Sequence, residues 1–185
     1  MATFYHGSSA LFSKFDLEHF LTGAAKVKFG YGVYLTSSFK SAAHYSGINK
    51  DAVPHYVYTV EIPEITASNH IAFKQRVNPS IIEKAQNKLE CSIPEKVTLD
   101  GKDFRKFLAK KLGGSNDIIS EKLASEFLTS IGVDFITWPY NWKNLSLGTN
   151  VAVLDERNIK IIKVEQVELD GKQQLIAASE KEVFI

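Results

Sequence analysis

The chain has 185 residues, 44% hydrophobic and 23% charged, which suits one compact domain with a sizeable core and excludes a disordered or fibrous chain. A formal net charge of +1 excludes a generally basic nucleic-acid binder but leaves room for a local patch. The single cysteine, Cys91, excludes an internal disulfide and a thiolate metal cluster, so no metal is expected and the simplest setting is a reducing cytoplasm. No apolar run reaches membrane-spanning length, and Met1-Ala2-Thr3 leads straight into a strand, so neither a membrane nor a cleaved signal is expected.

Residues 3–64 read as strand, Gly-containing loop, strand, helix and strand. Gly30 and Gly32 let backbone approach a ligand and tolerate the positive φ of a tight turn. Tyr31, Val33 and Leu35 alternate with Gly32, Tyr34 and Thr36, the period of a short strand. Ser37 or Ser38 caps a following helix on which Ala42 and Tyr45, three apart, share a face. Tyr34 and Tyr45 are thus set to converge from strand and helix as two aromatic walls. The alternating run His55–Ile62 is a strand that Pro63 ends.

Residues 66–130 read as a helical insertion. Asn78 and Pro79 start a helix striped by Ile81, Ile82, Ala85 and Leu89. A second runs from about Asp103, with Phe104, Phe107, Leu108 and Leu112 on one face, to Gly113-Gly114. A third follows Ser115-Asn116, carries Ile118, Ile119, Leu123 and Phe127, and stops near Gly132. Residues 131–185 return to strands at 135–138, 150–154 and 159–169, with a turn at Gly171 and a last strand or loose tail at 174–185. The whole is an α+β domain of two small antiparallel sheets packed together, with an inserted helical group.

The opening Tyr5-His6-Gly7-Ser8 and the run from Gly30 to Tyr45 resemble the ADP-ribosyltransferase superfamily, in the His-Tyr-Glu branch that includes diphtheria toxin and the poly(ADP-ribose) polymerases. The polymerase pattern Gly-x-Gly-Ile-Tyr-Phe-Ala, followed by a helix ending Ser-Ala-x-Tyr, maps without a gap onto this run. The resemblance implies a split β-sandwich and NAD+ as co-substrate. It further implies that His6 meets the adenine-side ribose, that the Gly7 backbone grips the carboxamide beside Ser8, and that Tyr34 and Tyr45 lie against the nicotinamide ring. Ala42 departs from the pattern, standing where the polymerases carry a carboxamide-binding serine.

The chain is more closely similar to small ADP-ribosyltransferase domains of phage and conjugative-element polyvalent proteins and related bacterial toxins. A third shared block is 130–136, then a variable loop, then 150–155 with 158–161 behind it. The family's catalytic glutamate falls at Asn150, which can bond a ribose hydroxyl but brings no charge to a developing cation. Asp155, Glu156, Asp134 and the more distant Glu126 are the alternative acids, although Asp155 also suits a structural turn with Glu156-Arg157-Asn158.

The loop before that position holds both tryptophans. Trp138, Tyr140, Trp142 and Lys143 resemble a target-recognition loop, or Trp138 is core and only the tip is exposed. The expected activity is therefore mono-ADP-ribosyl transfer from NAD+ to a nucleic-acid or protein acceptor with release of nicotinamide, as in a bacterial or phage toxin or effector with a neutralising antitoxin partner. The alternative is a module that binds NAD+ or ADP-ribose without turnover. An RNA 2′-phosphotransferase is disfavoured because its Arg-His-Arg-Arg set has no place here.

Overall fold

The computed structural model describes residues 1–19, 28–48, 53–115 and 117–185. Local signals fix the helices. Ser38 caps α1 (Phe39–Ser46) by accepting from the Ser41 N–H, and Asn78 caps α2 (Pro79–Leu89) with Pro at its first turn. A short α3 (Glu95–Thr98) leads to α4 (Gly101–Gly113), capped by Asp100 and closed by Gly114 at a φ of 81°. Asp117 caps α5 (Ile118–Ser130). α4 thus starts two residues before the expected Asp103, because the Asp100 carboxylate takes the Asp103 N–H.

The strands are β1 (Ala2–Ser8), β2 (Val33–Thr36), β3 (His55–Ile62), β4 (His70–Ala72), β5 (Phe135–Pro139), β6 (Thr149–Val153), β7 (Lys160–Val167) and β8 (Lys181–Val183). They form one mixed sheet in the order β4-β5-β6-β2-β1-β3-β7-β8, in which β4 and β5 are parallel and the other neighbours antiparallel. The two sheets expected from the sequence are therefore hydrogen-bonded into one. Their junction is narrow: β1 pairs with β3 along its whole length but with β2 only at Tyr5 opposite Thr36. The region 66–130 is also not purely helical, since β4 extends the sheet edge from within it.

Pairing sorts the side chains onto two faces, because directly opposed residues share a face and neighbours alternate. Phe4, Val33, Leu35, Tyr58, Val60, Phe135, Val151 and Val153 make one core, covered by Phe15, Leu17 and Tyr31. On the other face α2, α4 and α5 pack over Ile71, Ile136, Trp138 and Ala152, while α1 packs over Val57 and Val167. β2 lies between these two helical covers.

α1 sits so close to β1 that only glycine fits at position 7: a Cβ there would come within 1.8 Å of the Ala42 carbonyl oxygen. Gly7→Ala must lift the helix and is expected to cost about 1–3 kcal/mol, read as a melting temperature lower by several degrees. Gly171→Ala, where nothing lies within 4 Å, is the matched control and should leave the melting curve in place.

Candidate functional site

The seam between β1 and β2, with β6 beside it, presents two polar groups to which no described residue bonds, His6 Nε2 and the Asn150 amide. Beyond the Tyr5 and Thr36 pair the strands part, and the His6 ring fills the gap, its Nδ1 2.8 Å from the Tyr34 carbonyl oxygen. A carbonyl only accepts, so Nδ1 carries the proton. Burial of the ring pushes its pKa below the ordinary 6.5, against the opposing pull of the Tyr34 carbonyl. His6 is thus held neutral at pH 7 and presents Nε2 as an acceptor, to which no described residue donates. Phe15 meets the ring edge-on at 5.2 Å, with Phe12 and Tyr58 at 6.3 Å. Tyr58 pins this cover by accepting from the Phe12 N–H and donating to the Ala10 carbonyl.

Tyr34 projects to the opposite face. Its hydroxyl donates to the Gly30 carbonyl at 2.8 Å and accepts from the Phe29 N–H at 3.0 Å, closing the turn that enters β2. Gly30 has a φ of 110°, the left-handed geometry that glycine tolerates. Burial pushes the Tyr34 hydroxyl up to about 12, so it is a fixed wall and not a proton donor at neutral pH. Phe29 stacks flat on Trp138 at 4.0 Å, and Trp138 meets Tyr34 edge-on at 5.4 Å.

Asn150 lies on the same face as Tyr34. It pairs with Thr36 on one side and Trp138 on the other, and it is only 6% exposed. Its side-chain amide bonds to no described residue and is not among the fully buried unpartnered atoms, which among the described residues are Arg105 Nε and Ser125 Oγ, so it opens to solvent. Ser8 is turned to local work, its Oγ accepting from the Ala10 N–H. Tyr45 stands on α1 and is 48% exposed; among the described residues its ring lies near His44 and not against Tyr34. The structure thus puts Gly7, Tyr34 and Asn150 on one face of the sheet, with Tyr45 on the helix that covers Gly7, whereas the His6 ring lies on the opposite face among Phe12, Phe15 and Tyr58 and meets Tyr34 only at its backbone carbonyl.

The alternative acids are elsewhere. Asp155 follows Asn150 by five residues, about 17 Å along an extended strand. Its carboxylate caps the next turn and grips Arg157, whose hydrogen bonds hold it below the usual range. Asp134, at the same end of β5, is pushed up by burial and then by Asp155. Glu126 and Glu156 bear on Tyr31, whose hydroxyl donates to the Leu17 carbonyl in the other core. None of these carboxylates faces Tyr34 and Asn150.

Of the two readings of Trp138, the structure has the core one. It is 8% exposed under Phe29 and belongs to the wall, whereas Tyr140 and Trp142 are each 44% exposed and Lys143 is exposed. The sequence reading missed the buried pair of Arg105 and Glu121, from α4 and α5. Arg105 Nη1 donates to Glu121 Oε2, and Nη2 reaches the Lys28 carbonyl at 3.4 Å. The peptide between Lys28 and Phe29 is thereby held at its carbonyl by Arg105 and at its N–H by Tyr34. The signal was available: each charge interrupts an otherwise apolar helical stripe, Arg105 among Phe104, Leu108 and Ala109, Glu121 near Ala124 and Leu128.

Among the described residues no group of three His, Cys, Asp or Glu side chains is placed to hold a metal ion, and no helix is long and apolar enough to cross a membrane. Two surface clefts, of about 310 and 300 Å³, lie on the far side: one is lined by Lys14, Phe15, Glu156 and Arg157, the other by Glu18, Tyr31 and Lys122. Neither touches His6, Tyr34, Tyr45 or Asn150. We place the candidate site at the seam because the strands part there and the Asn150 amide beside it bonds to no described residue, whereas the fully buried unpartnered atoms among the described residues, Arg105 Nε and Ser125 Oγ, belong to α4 and α5. No family model, curated protein or solved structure matches the chain.

A neutral His6 has a stability signature. The unfolded ring takes a proton near 6.5 and the folded ring resists it, so stability rises with pH between the lowered folded value and 6.5 and is level above. In urea unfolding the parent is expected to lose stability from pH 7.5 to 5.5, and His6→Gln to lose measurably less. Identical pH dependence of the two would contradict the buried neutral ring.

Proposed function

We propose that this chain binds NAD+ at the β1–β2 seam on a fold of the ADP-ribosyltransferase type, breaks its bond to nicotinamide, and transfers ADP-ribose to a macromolecule. One observation carries the reading. Gly7, Tyr34 and Asn150, which the family pattern singles out far apart in sequence, share one face of the sheet beside a parted pair of strands, and the Asn150 amide bonds to no described residue there. The ribose and the carboxamide of NAD+ are rich in donors and acceptors that such groups can hold.

The chemistry asks little of the leaving group. The pyridinium nitrogen takes the electron pair of its bond to ribose C1′ and departs as neutral nicotinamide, without needing a proton. The acceptor atom then forms the new bond to C1′ and releases its proton to solvent. The protein's part is orientation and charge. Tyr34, locked by the Gly30 and Phe29 backbone, supplies a rigid wall, and Tyr45 on α1 supplies the second. His6, from the opposite face, holds the Tyr34 carbonyl through Nδ1 and so positions that strand, and the Asn150 amide bonds a hydroxyl of the nicotinamide ribose.

The Asn150 amide brings dipole and no full charge to the developing cation, and no described carboxylate stands beside it. That observation favours a second reading, a module that holds NAD+ without turning it over.

Labelled NAD+ incubated with the protein and whole-cell lysate separates the two, with released nicotinamide and transferred label both measured. Transfer is expected for the parent. Asn150→Ala should lower kcat/KM about tenfold, the worth of one hydrogen bond of about 1.4 kcal/mol. Tyr34→Ala should lower binding and turnover together, and Asn150→Glu should keep or raise NAD+ hydrolysis. Thermal stabilisation by NAD+ without nicotinamide release in any fraction would establish the binding module. Neither stabilisation nor release would overturn both readings.

A further inference from the structure

The acidic residues of this chain avoid the strands and loops that build the seam. Residues 1–15, 19–50, 65–82 and 135–154 contain no Asp or Glu, and the 21 acidic residues all fall outside them. These stretches supply β1, β2, α1, β4, β5, β6 and the loop between the last two, five adjacent strands and the helix over them. Their cations include Lys28, Lys40, Lys74 and Lys143, none of which forms an ion pair with a described residue. In a chain of nearly zero net charge the missing acids leave these stretches net positive, which attracts anions there.

The same region carries an exposed aromatic platform. The 140–148 loop stands at the end of the β5–β6 hairpin, next to the opposed Trp138 and Asn150. Backbone and side-chain bonds hold its shape: the Tyr140 N–H donates to the Gly148 carbonyl, Asn141 Oδ1 accepts from the Lys143 N–H, and Asn144 Oδ1 accepts from Ser146. Trp142 is covered on one side by the Lys74 ammonium at 4.6 Å from the ring centroid, and 44% of the residue remains open. Two half-open aromatic rings two residues apart, with lysines beside them and no carboxylate in the loop, match the demands of bases and phosphates in one strand. Stacking serves any base, and unpaired bases alone expose their faces for it.

We infer that the 140–148 loop with Lys74 docks a single-stranded nucleic acid. As the acceptor class this rests on the proposed transfer reading; as a binding surface it does not. A duplex buries its base faces and offers only its phosphates. An acidic protein segment would use the lysines but has no need of two aromatic planes.

Fluorescence anisotropy with a labelled 12-nucleotide single strand, as RNA and as DNA, tests the surface, with the matching duplex and a labelled polyglutamate peptide as competitors for the inference. The single strand should bind tightest, and log Kd should rise with log salt at a slope of about 1 to 2 if Lys74 and Lys143 meet phosphates. Trp142→Ala should weaken binding about tenfold or more. Lys143→Glu should weaken it and flatten the salt slope, and Glu83→Lys, on α2, should not weaken it. Melting curves of each variant show that the fold is kept. Single strand bound no tighter than duplex or peptide, or bound equally by Trp142→Ala, would overturn the inference, and preference for the peptide would assign the surface to protein. Melting with and without NAD+ on the same samples keeps the two ideas apart. Stabilisation by NAD+ without strand binding sinks the inference alone, and strand binding without any effect of NAD+ sinks the transfer reading alone.

Discussion

The narrow junction between β1 and β2 is the constraint on which the site depends. A full ladder would have consumed the edge groups of both strands, since backbone N–H and C=O groups buried in a sheet are paired almost without exception. One residue pair holds the sheet together at Tyr5 and Thr36, and past it an imidazole takes the Tyr34 carbonyl in place of a main-chain N–H. The consequence is chemical as well as geometric. Fixing Nδ1–H on a carbonyl settles the tautomer of His6 and leaves Nε2 as the acceptor, while Gly7, next in the strand, brings α1 down to backbone contact.

The other side of the seam is held from further away. α4 and α5 reach under the turn before β2 through Arg105, whose guanidinium is 2% exposed and meets Glu121 and the Lys28 carbonyl. A buried ion pair is a poor source of net stability, but removing one partner leaves the other charge stranded at a cost of about 3–5 kcal/mol. The insertion is therefore part of the site's support. It braces the peptide that also bonds the Tyr34 hydroxyl, and so sets where that ring stands. Phe29 and Trp138, stacked beside it, complete a wall that a short strand alone would not keep rigid.

Local chemistry was legible in the sequence wherever one residue decides the outcome. Asn78 with Pro79 predicts the start of α2, Ser38 was one of two named caps for α1, and the alternation from Tyr31 to Thr36 puts Tyr34 on the face opposite Tyr31, Val33 and Leu35. β4 was not legible, because its three residues show no period and it becomes a strand only by lying along β5. Trp138 carried the same aromatic signal as Trp142, and only the flat contact with Phe29 separates wall from tip. Arg105 and Glu121 each stand in an apolar helical stripe, which marks them as buried, but only the packing of two helices shows that they pair. Of the site, the spacing that implicates His6, Tyr34 and Asn150 was in the sequence. The single β1–β2 pair, the place of the Asn150 amide beside Thr36 and Trp138, and the distance of Asp134, Asp155 and Glu156 from it follow from long-range register, which no local pattern encodes.

The most direct measurement of the central claim is a crystal structure of the protein soaked with NAD+, refined without restraints toward any site. The account predicts the nicotinamide ring between Tyr34 and Tyr45 and a ribose hydroxyl within hydrogen-bond distance of the Asn150 amide. The dinucleotide seated elsewhere, for instance in the cleft beside Lys14 and Arg157, or a seam that stays empty at saturating NAD+, would contradict it.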